Sequence, residues 1–418
     1  MPATIARKRP TLDQVRRWPA TCTVAEAALA LGVSRATLYE ALAPRRAARP
    51  GGPGEPQDPG PDALAGRRAR GPGGGVTGLT SLELCAGAGG TALGLEQAGF
   101  THAGLAETDA DCCRTLRANR PGWPVAQCDI VRVDAGWFAG IDLISAGLPC
   151  TPHSRGGAQL GAVDERHLWD TALRITSEAR PRAVMLETAD AILTPRFAAE
   201  RAGTLERLHG LGYRTWWQVI DASGHGVPQR RRRAVLVAFR EAAAFTWPAP
   251  LPGPPPAVGD VLFDLVAERG WPGAAAWRDR ARDAAPVVTG GSKKHGGADL
   301  GASQGKAAWR RLGIDPMGIA DEAPGPDGKF SRGSGKTFDA AAAGVMLTVR
   351  MAARIQGFSD EWVITGRKTA TYRQVGNALP PPVARALGVV IAAALRCRTP
   401  WPGPVKDAEA GWPSPAGR

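Results

Sequence analysis

Residues able to do chemistry stand at the carboxyl ends of apolar runs, where an open α/β sheet binds its ligands. The run Ile141–Ala146 ends in Gly147-Leu-Pro-Cys150. A free cysteine is most often a small buried hydrophobe. That reading fits Cys150 poorly, because the following Thr151-Pro-His-Ser-Arg-Gly-Gly157 is polar and glycine-rich, more like an active-site lid than a core segment. The next run, Val184-Met-Leu-Glu187, ends on a carboxyl that could transfer a proton or merely cap a helix. Gly226-Val-Pro-Gln-Arg-Arg-Arg-Arg233 precedes a further run. If it is extended, Gln229, Arg231 and Arg233 point to one side.

A glycine loop adds a second kind of chemistry. Ser81-Leu-Glu-Leu-Cys-Ala-Gly-Ala-Gly-Gly-Thr91 reads as a strand, a tight turn and a helix start, with Ala86, Gly87, Gly89 and Gly90 able to pass close to a ligand. The dinucleotide fingerprint fails, since Ala92 stands where its third glycine belongs. Glu107 ends the next predicted strand, where an acid binds ribose hydroxyls, and Asp129 ends the third, within reach of an adenine amino group. A glycine turn alone is as often structural as functional. Loop and both acids together favour an adenosine-type cofactor. Gly333-Ser-Gly-Lys-Thr337 imitates a phosphate-binding loop, but Phe330 fills the required first glycine position and no apolar strand precedes it; it reads as solvated loop.

These groups need a scaffold. From Leu79 onward, short apolar runs alternate with helical patterns, the signature of a parallel α/β sheet. The predicted strands are Leu79–Cys85, Thr101–Ala106, Val125–Cys128, Ile141–Ala146, Ala183–Glu187, Thr215–Ile220 and Ala234–Phe239. Residues 246–340 break the rhythm with prolines, glycines and weak periodicity; it returns at Leu347 and closes in a helix over Val383–Leu395. Upstream, residues 10–46 are helix-forming, whereas 47–76 are mostly Pro, Gly, Ala and Arg and read as a disordered linker; 399–418 read as a flexible tail.

The 418 residues carry a net charge of +13, which points to nucleic acid unless it is mere arginine drift in an Ala/Gly/Pro-heavy chain. Residues 1–75 hold 12 Lys/Arg against 6 Asp/Glu. Seven scattered cysteines form no CxxC pair and no metal-ligand spacing with the six histidines, so reduced thiols and no metal are expected. No secretory signal follows the basic N-terminus, and the longest apolar stretch, Ala386–Leu395, is half a membrane span. A soluble, cytoplasmic protein is expected.

Taken in order, the motifs resemble the cytosine-5 DNA methyltransferases of bacterial restriction–modification systems. The resemblance rests on the loop Ala86–Gly90, Glu107, Asp129, Pro149-Cys150, Glu187, Gln229-x-Arg231-x-Arg233, Arg350-Met-Ala-Ala-Arg-Ile-Gln-Gly-Phe358 and Gln374-Val-Gly-Asn-Ala378, and covers roughly residues 79–395. It implies a Rossmann-like sheet in a catalytic domain over 77–245, a small target-recognition region over 246–340, and a return to the catalytic domain over 341–398. S-adenosylmethionine is the implied cofactor, held by Ala86, Gly87, Gly89, Gly90, Glu107, Asp129, Ile130, Pro149, Asn377 and Ala378. Cys150 is the implied nucleophile toward cytosine carbon 6, with Glu187 as acid at ring nitrogen 3. Arg233 and Arg231 hold a base flipped out of the duplex and its flanking phosphate. Gln229, Ser154, Arg155, Lys293 and Lys294 are the implied DNA contacts, and Trp309-Arg-Arg311 is a further basic candidate. Two departures stand out. Thr188 replaces the asparagine after the family's Glu, and Cys85 replaces the phenylalanine of the cofactor loop.

Residues 23–39 resemble a helix-turn-helix, with Gly32 at the turn, Ser34 as cap, and Arg35 and Thr37 facing outward to DNA; a plain two-helix hairpin is the alternative. The expected partners are double-stranded DNA and a cognate restriction endonuclease, with the enzyme a monomer. A tRNA methyltransferase on the same core is a competing reading, disfavoured by the extra DNA-type module. A DNA-binding regulator with an inactive catalytic body is disfavoured by intact Cys150, Glu187 and Arg233. An amino-group DNA methyltransferase needs an Asp/Asn-Pro-Pro-aromatic loop, and Pro149-Cys150 occupies its place.

Overall fold

The computed structural model describes residues 78–149, 168–240, 245–290, 299–301, 303–333 and 335–397. The expected helix-turn-helix, linker and tail lie outside them, as do Cys150, Ser154, Arg155, Lys293, Lys294, Arg35 and Thr37. In chain order come β1 (Leu79–Leu84), α1 (Gly90–Gln97), β2 (Phe100–Glu107), α2 (Ala110–Asn119), β3 (Val125–Gln127), β4 (Leu143–Gly147), α3 (Trp169–Ala179), β5 (Ala183–Ala189), α4 (Ala198–Gly210), β6 (Arg214–Asp221) and β7 (Arg232–Phe239). Then follow α5 (Val258–Ala267), α6 (Ala274–Arg280), α7 (Ser303–Arg311), the hairpin β8 (Lys329–Arg332) and β9 (Lys336–Asp339), α8 (Ala340–Ala343), α9 (Val349–Ile355), α10 (Lys368–Asn377) and α11 (Pro381–Arg396).

All seven predicted strands form, in the order β3-β2-β1-β4-β5-β7-β6. The sheet is parallel except for β7, which runs antiparallel to both β5 and β6. The ten residues 222–231 join β6 to β7, and so short a connection favours antiparallel pairing because a parallel neighbour needs a crossover of about a dozen residues or more. Strand order reverses between β1 and β4. That reversal opens a crevice at their carboxyl ends, where the reactive residues stand.

Both faces of the sheet are covered, so its strands alternate between two cores. Leu82, Leu84, Ile144, Leu186 and Leu236 pack with Phe138, Trp169 and Ile175 on one face. Leu143, Met185, Val235 and Val237 pack with Leu95, Leu387 and Ile391 on the other. The second core needs α1 and α11 in close contact. A Cβ on Gly94 would lie 2.5 Å from the Pro381 carbonyl oxygen, so glycine is required there. The run 368–396 is long and apolar enough to cross a membrane, yet it divides into α10 and α11, and 67% of its apolar window is buried inside the protein.

Residues 246–340 are not a loose insertion. Val258, Leu262, Trp277, Trp309 and Phe330 share one apolar cluster with Met351, Ile355 and Val375, and with Ala88 of the glycine loop. Trp309 corrects the basic-patch expectation: at 0% exposure it anchors α7 in this cluster and cannot meet DNA, while Arg310 and Arg311 remain exposed. Of the Gly333–Thr337 motif, Lys336 and Thr337 belong to β9 of the β8–β9 hairpin, exposed as expected.

Candidate active site

A cleft of about 550 Å³ opens at the carboxyl ends of the parallel strands. Among its lining residues are Ala86, Gly87, Gly90, Glu107, Asp129, Ile130, Pro149, Glu187, Arg233, Asn377 and Ala378. Residues separated by almost 300 positions therefore meet at one crevice. Gly89 does not line it. Its φ of 85° starts α1, and a Cβ there would sit 2.7 Å from Leu116 and 2.9 Å from Trp362.

The glycine-loop half is built for close backbone approach. Cys85, Gly87 and Gly89 have φ of 57°, 54° and 85°. Such angles are free for glycine but strained for cysteine, and strain of this kind gathers at ligand sites. The Gly87 N–H donates to Glu107 Oε2 at 2.8 Å, and the Thr108 and Asp109 N–H groups donate to Oε1, both at 2.7 Å. Three main-chain donors thus fix the carboxylate at the end of β2. Asp129 holds the turn after β3 by accepting from the Val131 N–H at 3.0 Å, and stays exposed at the rim. Trp362 was not singled out from sequence, yet its indole donates to the Ala88 carbonyl at 3.0 Å and backs the loop.

At the other end lies Glu187, 6% exposed on the fully buried β5. Arg233 Nε sits 3.0 Å from its Oε1, an ion pair whose N–H is not aimed along the contact. Burial pushes the Glu187 carboxyl above the usual carboxylate range, against the opposing pull of Arg233 and Arg231. The Leu148 N–H donates to the Glu187 main-chain carbonyl at 2.9 Å, so the turn toward Cys150 is tied to the strand carrying Glu187. Behind it, Ser145 donates to Glu83, whose burial raises its carboxyl to about 8. The Thr188 hydroxyl is buried without a hydrogen-bond partner among the described residues, so it does not take over from them the supporting role expected of an asparagine amide.

Residues 229–233 do alternate as an extended segment should: Arg230 and Arg232 face out, while Gln229, Arg231 and Arg233 face in. Only Arg233 of these three reaches the cleft. Gln229 is 0% exposed; its carbonyl accepts from the Val288 N–H at 2.9 Å and its amide donates to Gln356 at 2.6 Å. Gln356 in turn donates to the Ala378 carbonyl. Arg231, 1% exposed, donates to the carbonyls of Val288 at 3.1 Å and Gly376 at 2.9 Å. The expected DNA contact by Gln229 and phosphate contact by Arg231 are therefore corrected for this structure. Arg231 directly, and Gln229 through Gln356, join the Val288 segment to the Gly376–Ala378 wall, so their polar groups are engaged with buried protein.

The comparisons agree with this geometry. A model of the C-5 cytosine-specific DNA methylase family matches residues 79–393. The chain belongs to that family. It is a DNA cytosine-5 methyltransferase, in a family that depends on S-adenosylmethionine. The Type II methyltransferase M.NaeI of Lentzea aerocolonigenes is 47% identical over 323 residues, 76% of this chain and 75% of that protein. M.NgoMIV of Neisseria gonorrhoeae is 41% identical over 323 residues, again 76% of this methyltransferase but 98% of the relative. The fold is similar to that of the Entamoeba histolytica methyltransferase EhMeth, with a TM-score of 0.53 at 13% identity over 76% of this chain and 98% of that one.

Proposed function

We propose that this methyltransferase modifies carbon 5 of cytosine within a specific double-stranded DNA sequence and so protects that sequence from a cognate restriction endonuclease in the cytoplasm. The similarity to two Type II methyltransferases supports the protective role. The observation that carries the chemistry is the Glu187–Arg233 pair, set at the mouth of the glycine-loop cleft beside the turn that leads to Cys150.

The cleft suits the family's cofactor. Its left-handed glycine loop exposes main chain, the main-chain-fixed Glu107 carboxylate would accept from ribose hydroxyls, and Asp129 at the rim would accept from an adenine amine. Ala86, Gly87, Gly90, Ile130, Pro149, Asn377 and Ala378 would complete the walls. When bound, S-adenosylmethionine supplies an electrophilic methyl group. The protein must make a poor nucleophile, carbon 5, electron-rich. Cys150 thiolate adds to ring carbon 6 while Glu187 gives its proton to nitrogen 3, leaving a neutral enamine. A raised Glu187 is what that donation needs near neutral pH. Arg233 orients the carboxyl and the flipped base. After transfer, the carbon-5 proton is lost to solvent, nitrogen 3 returns its proton to Glu187, and Cys150 leaves as thiolate, which restores the aromatic ring and the acid.

Residues 246–340 take the position of a target-recognition region, with Lys293, Lys294, Ser154 and Arg155 as DNA contacts. Residues 10–46 are proposed as a separate helix-turn-helix on the 47–76 linker. The test of the central claim is trapping. An oligonucleotide with 5-fluorocytosine at the target position should form a covalent enzyme–DNA adduct, because fluorine cannot leave as a proton does. Cys150→Ala should abolish both adduct and methylation; an active Cys150→Ala protein overturns the mechanism.

A further inference from the structure

Besides Arg233, one other guanidinium lines the described cleft. Arg373 stands on α10 one helical turn before Asn377, so both side chains face the same crevice. Its Nη2 lies 3.3 Å from Oδ2 of Asp109, on the facing wall. Asp109 uses its other oxygen, Oδ1, to cap α2 by accepting from the Asp111 N–H at 3.0 Å. It also directly follows Glu107 and Thr108 at the end of β2. The two side chains are 16% and 15% exposed, so the pair sits in the cleft wall rather than on the surface.

The pair joins two parts of the chain that are far apart in sequence. The same two regions are also held by neutral bonds: Thr115 donates to Gln374 at 2.7 Å, and at the surface Asn119 exchanges hydrogen bonds with main-chain Val363, ahead of α10, at 2.7 and 2.8 Å. Those contacts fix α10 against α2 whether or not the cleft is filled. The Arg373–Asp109 contact differs, because both partners line the cavity itself. It is also slack: a well-made charge-assisted N–H···O bond is about 2.7–2.9 Å.

We infer that Arg373 and Asp109 form a clasp across the cofactor cleft, positioning residues that set how long the cofactor stays bound rather than groups that touch the reacting atoms. The inference rests on the proposed occupation of this cleft by S-adenosylmethionine. Filling the cleft excludes water from the pair, and excluding water strengthens the attraction between its charges. The pair in turn ties the start of α2 to α10 across the rim of the cleft, over the bound ligand. Asp109 can lose its charge without losing its cap, since asparagine caps equally well.

The test measures binding and release of S-adenosylhomocysteine by the full-length protein, with Arg373→Gln, Asp109→Asn, the double variant and Arg373→Lys. Each single variant should speed release about tenfold, within the range of ordinary site-to-site coupling. The double variant should be no faster than either single one, and Arg373→Lys, which keeps the charge, should recover most of the retention. Single effects that add independently overturn the clasp. So do slower release in Asp109→Asn with faster release in Arg373→Gln, since Arg373 would then grip the ligand directly. A lower melting temperature without ligand, with release unchanged, reduces the pair to a structural contact and also overturns it. A wild-type protein that fails to bind S-adenosylhomocysteine defeats the reading of the cleft itself, an outcome distinct from wild-type binding with unaltered variants.

Discussion

Arg233 reaches Glu187 because β7 runs antiparallel to β5, with Arg233 opposite Ala189, two residues beyond Glu187 along β5. Two residues is one repeat of a strand's side-chain alternation, so both side chains emerge on the same face. Arg233 favours the charged form of Glu187, whereas burial favours the neutral form and prevails. Removing Arg233 therefore lets the acid stay protonated to higher pH. Arg233→Ala should lower kcat/KM by about a hundredfold or more, comparable with losing general acid catalysis. The alkaline limb of its pH–rate profile should move upward. A limb that stays in place or moves down would show that Glu187 is not the titrating acid.

Glu83 makes a separate, structural prediction. Its carboxyl titrates near 4.5 when unfolded and near 8 when buried beside Ser145. Between those values the folded state holds the proton more tightly, so this group's contribution to stability is full below about 4.5 and is lost as pH rises to about 8. Glu83→Gln cannot ionise. The difference in Tm, variant minus wild type, should grow from pH 5 to pH 8 and then level. A difference that does not change with pH would mean Glu83 is not protonated in the fold.

Thr188 carries a buried hydroxyl that bonds to nothing among the described residues. Valine has nearly the same shape and no group to desolvate. Thr188→Val should hold or raise stability by about 1 kcal/mol in chemical denaturation. Turnover should stay close to wild type if the hydroxyl has no share in placing Glu187. A large loss of turnover with folding intact would instead assign the hydroxyl a part in the reaction cycle.

Arg231 distinguishes a structural arginine from a phosphate contact. Arg231→Met leaves the Val288 and Gly376 carbonyls without a donor, which should cost about 3 kcal/mol of stability. The salt dependence of DNA binding should keep its slope. Loss of a phosphate contact would instead make that slope shallower by about one.

The strands, the switch-point cleft and the strand-end position of Glu187 were legible in the sequence because each depends on local pattern: apolar runs of strand length, glycines at a turn, polar groups at strand ends; the pairing of Glu187 with Arg233, 46 residues away, was not. The antiparallel β7 was not, although the short connection after β6 carries the signal. The inward use of Gln229 and Arg231 was hidden for a different reason. Alternation tells which residues share a side, but whether that side meets DNA or protein depends on Val288, Gln356 and Gly376, which are distant in sequence. Arg373–Asp109 was invisible for the same reason, since 264 residues separate the partners. Trp309 misled because the arginines beside it lent a surface look to a helix whose other face is core.

The last prediction concerns residues 1–75. The family match begins at residue 79, and M.NgoMIV aligns over 98% of its own length while pairing with only 76% of this chain. A relative of that compass manages without a counterpart to the N-terminal segment, so deleting residues 1–75 should leave a folded enzyme with unchanged methylation of its target. The segment carries net +6, with arginines at 45, 46 and 49 flanking the 23–39 motif. If that charge touches DNA, the truncated enzyme should bind more weakly and with a shallower salt dependence, because fewer counterions are released. If residues 10–46 form the proposed helix-turn-helix and it reads bases, the full-length protein should also protect a second DNA site that the truncated one does not. Footprinting both proteins across a range of salt separates these cases. Identical footprints and slopes would make the segment a bystander to DNA binding, and a truncated protein that aggregates would show that residues 1–75 belong to the catalytic fold.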